Sequence, residues 1–229
     1  MPRLVLWDID RTLIASGGVG RAAFQAAFEE TTGQPMGTMA DPSGQTEPVI
    51  FSRTLEAHGI RDPGDYFDRF ARLEASAYRD RAAELRQRGR VLPGVGDILA
   101  ACGRTPEISQ TVLTGNTKEG AAIKLGVFGL SHFLDLEFGA FGDDHADRSR
   151  LVPLAQQRAS VALGREFGAD ETVIIGDTVH DIAAGVTNGV RVIAVATGEC
   201  SATVLRESGA DEVFDDLTDT AAVLKAILA

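Results

Sequence analysis

Three short apolar runs in this chain each stop on a residue able to do chemistry, and that pattern constrains the fold more than any other feature of the sequence. Residues 4–7 run into Asp8, residues 111–113 into Thr114, and residues 172–175 into Gly176-Asp177. A further run spans 190–195, and weaker ones cover 134–138 and 212–214. Runs of this length without polar alternation read as strands buried on both faces. The segments between them carry helical periodicity. The pattern therefore predicts an α/β fold, a doubly wound parallel sheet with helices on both sides. Ligands of such a sheet bind beyond the carboxyl ends of its strands, where Asp8, Thr114 and Asp177 fall.

Roughly a hundred residues separate the first two strong runs, far more than one crossover helix needs. Residues 19–33 put Val19, Ala23, Phe24, Ala27 and Phe28 on one helical face and stop at Gly33. Residues 46–58 carry Val49, Ile50 and Leu55 and stop at Gly59. Asp62-Pro63 predicts the cap and first turn of a third helix, with Tyr66, Phe70, Leu73 and Ala77 at helical spacing. Residues 16–90 thus read as an inserted helical domain on a core made of 1–15 and 91–229. Gly17-Gly18 and residues 91–94 are the expected hinges.

With 44% hydrophobic and 24% charged residues over 229 positions, the chain can bury a sizeable core. Its net charge of −11 argues against nucleic acid or an anionic membrane as a partner. No apolar stretch has the length of a membrane span or the form of a signal peptide. Cys102 and Cys200 make neither a zinc spacing nor a disulfide framework. A cytoplasmic protein is expected.

Asp8 and Asp10 lie two residues apart at the end of the first run, so both can turn toward one site. One can act as nucleophile and metal ligand while the other moves protons. Thr114-Gly115-Asn116 offers a hydroxyl and backbone donors for a phosphoryl oxygen, or alternatively a plain helix cap by Asn116 or Thr117. Asp177 is placed to bind a hard cation such as Mg²⁺, and Asp181 can orient that shell or simply face a helix N-terminus. Each motif is ambiguous alone. Their shared position at strand ends is much harder to obtain by chance.

In this order the motifs resemble those of the haloacid dehalogenase-like hydrolases, in the branch of phosphoglycolate phosphatase and β-phosphoglucomutase. The similarity includes the helical insertion after the first motif, the Leu92-Pro93-Gly94-Val95 return, and Gly176-Asp177-x-x-x-Asp181. It implies a core strand order of 5-4-1-2-3 and a cap closing over the site. It implies a Mg²⁺-dependent phosphatase of small phosphorylated metabolites, in which Asp8 becomes an aspartyl phosphate and Asp10 is the acid and base. Mg²⁺ would be held by Asp8, the Asp10 backbone carbonyl and Asp177. Thr114, Gly115 and Asn116 would hold the phosphoryl group, with Asp181 in support.

The resemblance also calls for a cation on the phosphoryl group, for which Arg148 comes first, then Lys124, then Lys118. The same catalytic set would serve a phosphomutase, and a non-catalytic binding or regulatory module on this fold is a further alternative. The sequence departs from the pattern at Arg11, where Gly is usual. Ser43-Gly44-Gln45-Thr46-Glu47 is either a substrate-facing loop of the cap or a helix start capped by Thr46. Arg21 and Arg53 are further candidates for facing substrate. His180 reads as a surface residue, and Asp143 or Asp144 as weak candidates to support a metal shell.

Overall fold

A computed structural model describes residues 2–229. Strand β1 (Arg3–Trp7) lies at the middle of a five-stranded parallel sheet and is buried along its whole length. It pairs on one side with β4 (Ile108–Val112) and on the other with β5 (Thr172–Gly176). Beyond β5 come β6 (Arg191–Val195) and β7 (Glu212–Phe214), giving the order β4-β1-β5-β6-β7.

Alternate residues of β1 build the two cores. Val5 and Trp7 join the cluster under α5 (Val95–Gly103), α6 (Lys118–Val127) and α10 (Thr220–Leu228). Leu4 and Leu6 join the cluster under α7 (Leu151–Leu163), α8 (Val179–Asn188) and α9 (Ala202–Glu207). A strand covered on both faces has no polar face to offer, hence the unbroken apolar run. Buried Trp7 keeps its Nε1 satisfied by donating to Gln110 Oε1 at 3.2 Å.

The third strand of the expected order does not form. Counted with it, the sheet is 5-4-1-2 plus an outer sixth strand, and residues 134–138 make a turn instead. The Asp135 carboxylate accepts from Glu137 N–H, and Gly139 N–H donates to Leu136 O. These local bonds bow the segment away from β4. Only its two ends reach the strand: Asp135 N–H donates to Gln110 O, and Ala140 makes a single parallel bridge to Leu113.

Between β1 and β4 the chain forms four helices: α1 (Val19–Thr32), α2 (Glu47–Ala57), α3 (Tyr66–Asp80) and α4 (Ala82–Arg88). They are bracketed by a two-residue antiparallel ribbon of β2 (Ile14–Ala15) and β3 (Arg90–Val91). Phe24, Phe28, Phe51 and Phe70 form an aromatic cluster of their own, with Phe51 and Phe70 stacked at 4.4 Å. Val19, Ala77 and Tyr78 pack instead toward Ile123 and Val127 of α6. Asp62-Pro63 does not start α3, because Gly64 (φ 111°) breaks the helical path. Asp62 accepts from the N–H groups of Gly64 and Tyr66, and the helix begins three residues later than expected from Pro63. Among the described residues, no helix is long and apolar enough to cross a membrane.

Candidate active site

A cavity of about 660 Å³ lies beyond the carboxyl ends of β1, β4 and β5, roofed by the helical insertion. Asp8, Asp10, Thr114, Gly115, Asn116, Lys124, Arg148 and Asp177 all line it. Lys118 and Arg53 do not. Lys118 lies on the surface beside Glu137, while its backbone N–H is taken by Asp143. Asp144 accepts from Phe141 N–H and pairs with Arg158 at 2.6 Å. Neither Asp143 nor Asp144 lines the cavity, and their carboxylates are engaged with the Lys118 backbone and with Phe141 and Arg158.

Asp8 continues the sheet ladder, its N–H donating to Ile175 O, which fixes its direction at the strand end. Its Oδ1 accepts from Arg148 Nη2 at 2.8 Å, and the same nitrogen donates to Asp181 Oδ1 at 2.5 Å. Asp181 Oδ2 is engaged with the Thr178 N–H and hydroxyl, completing a capping box on α8. Both of its oxygens are therefore occupied, which makes it a support. Asp177 differs: Oδ1 accepts from Thr12 Oγ1 at 3.2 Å, but Oδ2 is buried without a partner.

Burial pushes Asp8 up to about 7; Arg148 opposes this, and Asp181 adds to it. Burial also pushes Asp177 up to about 8, followed by the charges of Asp8 and Asp181. Asp8, Asp177 and Asp181 bring carboxylate oxygens within 4.8 Å of one another. The free Asp177 Oδ2 and these crowded carboxylates fit a hard divalent cation, which prefers oxygen donors and would relieve the repulsion.

Asp10 is held by a second network. Its Oδ2 accepts from Lys124 Nζ at 2.7 Å and from Asn116 Nδ2 at 2.8 Å. Lys124 also donates to Asn116 Oδ1 at 2.5 Å and lies 5.0 Å above the Tyr78 ring. Asn116 Nδ2 donates to Thr114 Oγ1 as well, so the network ties the first motif to the second. Thr117, not Asn116, caps α6, which leaves the amide free for this task. Burial alone would raise Asp10, but Lys124 and Asn116 outweigh it and hold the carboxyl below its ordinary value. Lys124 is thus placed on Asp10, and Arg148 is the cation beside Asp8.

Arg11 is the one non-glycine residue with positive φ among those described, at 66°. Glycine would adopt this backbone without strain; Arg11 carries a cost of about 1–2 kcal/mol. Its carbonyl accepts from Thr197 Oγ1, and its guanidinium pairs with Glu199 at 2.7 Å on the cavity rim.

The loop 43–47 docks on this site by direct bonds. Glu47 N–H donates to Gly115 O at 2.8 Å, and Thr46 Oγ1 donates to Ala146 O at 2.7 Å. Thr46 occupies the cap position of α2 but its side chain does no capping. A Cβ on Gly115 would lie 2.1 Å from Gln45 O, so only glycine lets the two backbones meet. Gln45 Nε2 contacts His180 Nε2 at 2.9 Å, placing His180 in the cavity wall and not on the open surface.

A family model described as HAD-hydrolase-like matches residues 150–220. A plasmid-encoded phosphoglycolate phosphatase of Cupriavidus necator is 28% identical over 222 residues, covering 96% of this chain and 92% of that protein. A hydrolase from Pseudomonas syringae superposes with a TM-score of 0.72 at 20% identity, covering 99% of each chain. A predicted phosphoglycolate phosphatase from Haemophilus somnus gives 0.68 at 19% identity, covering 97% and 98%.

The chain resembles the haloacid dehalogenase-like hydrolases, in sequence over residues 150–220 and in fold over nearly its whole length.

The sequence does not single out Tyr78 beneath Lys124, the Gln45–His180 contact in the cavity wall, or Glu74, buried beside Glu47. Glu74 is 1% exposed and sits one helical turn from both Phe70 and Tyr78, on the buried stripe of α3. A lone carboxylate interrupting an apolar stripe at i±4 is the signal that could have found it.

Proposed function

We propose that this protein hydrolyses small phosphomonoesters through a phosphorylated Asp8, with Mg²⁺ as cofactor. The observation that carries this reading is the division of labour between neighbouring carboxylates. Asp8 faces the cavity with one oxygen held by Arg148, while Asp10 beside it is clamped by Lys124 and Asn116. Two carboxyls at one strand end, each held by its own cation, can serve as nucleophile and proton carrier.

Asp8 Oδ2 attacks phosphorus, forming an acyl phosphate as the ester P–O bond breaks, and Asp10 donates its proton to the departing oxygen. Asp10 then takes a proton from water, which attacks the same phosphorus and returns Asp8 as a carboxylate with release of inorganic phosphate. Thr114 and the backbone of Gly115 and Asn116 orient the transferred group. Asp8, the Asp10 carbonyl and Asp177 would hold Mg²⁺, which supplies charge neutralisation between an anionic nucleophile and an anionic ester. Residues 16–90 act as the cap, excluding water and limiting substrates to what the closed cavity accommodates.

Hydrolysis of an aryl phosphate and a metabolite phosphate panel, with Mg²⁺ or with EDTA, tests this. Turnover that requires Mg²⁺ and falls by about 10³-fold or more in Asp8→Asn is the expected result. Turnover unchanged by Asp8→Asn would sink it.

A further inference from the structure

One buried ammonium has three carboxyl groups within electrostatic reach. Lys124 is 3% exposed, and Asp10, Glu47 and Glu74 all act on its charge or feel it. A lysine stem is flexible, so charge alone does not settle which carboxyl its head meets. In the structure it meets Asp10 Oδ2 at 2.7 Å and Asn116 Oδ1 at 2.5 Å. An ammonium carries three donors, and these two bonds leave one of them without an oxygen. The Tyr78 ring takes up that remaining side. Nζ lies over its face, 5.0 Å from the centroid, where the ring quadrupole attracts a cation.

The ring is itself firmly placed. Tyr78 lies in the last turn of α3, is buried, and packs with Val19 and Ala23 of α1 and Leu85 of α4. A Cβ on Gly20 would come 3.1 Å from the Tyr78 hydroxyl, and one on Gly120 would come 3.8 Å from the ring edge. Helices α1 and α6 therefore both close on it, and a ring so packed keeps one orientation. It attracts the ammonium without offering an oxygen, so it does not compete with Asp10 for the hydrogen bond.

We infer that Tyr78 is a positioning residue, whose ring holds the Lys124 ammonium on Asp10 and away from Glu47 and Glu74. This rests on the phosphatase reading above and deepens it, because the step affected is proton donation from Asp10 to the departing ester oxygen. Tyr78 also lines the cavity, so direct contact of its hydroxyl with substrate is the rival role.

The leaving group separates the two. An alkoxide needs the proton far more than nitrophenolate does, and kcat/KM isolates the steps up to release of the alcohol. It is measured for p-nitrophenyl phosphate and for the best-used alkyl phosphate of the panel, in wild type, Tyr78→Phe, Tyr78→Leu, Lys124→Met and Tyr78→Leu with Lys124→Met. Tyr78→Leu is expected to lose about tenfold on the alkyl ester and less than about threefold on the aryl ester. Tyr78→Phe, which keeps the ring, is expected to retain both, and Tyr78→Leu to add nothing once Lys124 is gone. Equal losses on the two esters, a loss in Tyr78→Phe matching that in Tyr78→Leu, or full additivity with Lys124→Met overturns the inference.

Proton–nitrogen NMR of the Lys124 ammonium, assigned by its disappearance in Lys124→Met, reads the placement without turnover. Its protons are expected upfield of those of exposed lysines in wild type and Tyr78→Phe, and not in Tyr78→Leu. An unshifted resonance in wild type overturns the inference, even if Tyr78→Leu does not fold. The two readings fail separately. A ring-shifted ammonium in a protein that hydrolyses neither ester removes the hydrolysis reading and keeps the placement of Lys124, whereas turnover with an unshifted ammonium does the reverse.

Discussion

Asp8 and Asp10 leave the same strand two residues apart, yet the cations that hold them live in different surroundings. Arg148 is held chiefly by the sheet ends, between Asp8, Asp181 and the Leu113 carbonyl, and meets the insertion only through a long bond of 3.5 Å to the Gly44 carbonyl. Lys124 rises from α6 to Asp10 and is walled by Tyr78 from the insertion, with Glu47 and Glu74 within electrostatic reach. The charged contacts of the first arrangement all lie within the core. The second is completed only when the insertion is seated. The placement of Asp8 is thus built mainly into the sheet, whereas the surroundings of Asp10 are tuned by the insertion.

The sharpest way to break this comparison is to remove each cation in turn. Arg148→Met leaves Asp8 and Asp181 buried without their counter-charge, and should cost about 3–5 kcal/mol in urea unfolding. A loss under about 1 kcal/mol would mean that the Asp8 side is less closed than described. Lys124→Met should act mostly on catalysis, because Asp10 is 40% exposed and can be solvated. A fall of about 10²-fold in kcat is expected. The sign of the pH effect is fixed: Lys124 holds Asp10 low, so its loss moves the Asp10 limb of the pH–rate profile to higher pH. A profile that does not move would detach Lys124 from Asp10.

A smaller effect tests the insertion itself. Glu74 is raised well above its ordinary value, by burial first and then by Glu47. The folded protein therefore keeps a proton on Glu74 that the unfolded chain releases above about pH 4.5. Stability from this group is present below that pH and declines as pH rises toward the folded value. Urea midpoints at pH 5 and pH 8, in EDTA, should fall less between the two pH values in Glu74→Gln than in wild type. The smallest expected change is in Arg11→Gly, where relief of the left-handed backbone is set against loss of the exposed Glu199 pair. A shift within about 1 kcal/mol is expected, with turnover retained.

How much of this was legible depended on where each signal was stored. Asp8, Thr114 and Asp177 could be read because an apolar run stopping on a polar residue marks a strand end, and strand ends converge. Arg148 and Lys124 could be named only as candidates. Whether a helical cation turns inward depends on what lies opposite, and for Lys124 that is Tyr78 from far along the chain. The strand expected at 134–138 failed for a local reason, since Asp135 and Gly139 supply turn bonds that compete with the ladder. His180 reads as a surface residue because its partner, Gln45, lies in the inserted segment, 135 residues away along the chain.

The seating of loop 43–47 against Gly115 has a consequence for how such a protein can change over generations. The contact is made by main-chain atoms, Glu47 N–H on Gly115 O and the Gln45 carbonyl against the bare Gly115 Cα. Side chains on that loop other than Thr46, whose hydroxyl bonds the Ala146 carbonyl, can therefore be exchanged by mutation without losing this contact, as long as position 115 stays glycine. The lining and the closure of the chamber are inherited through different atoms, so substitutions at positions such as 45 and 47 can remodel the lining by small steps while the seal beneath them stays constant.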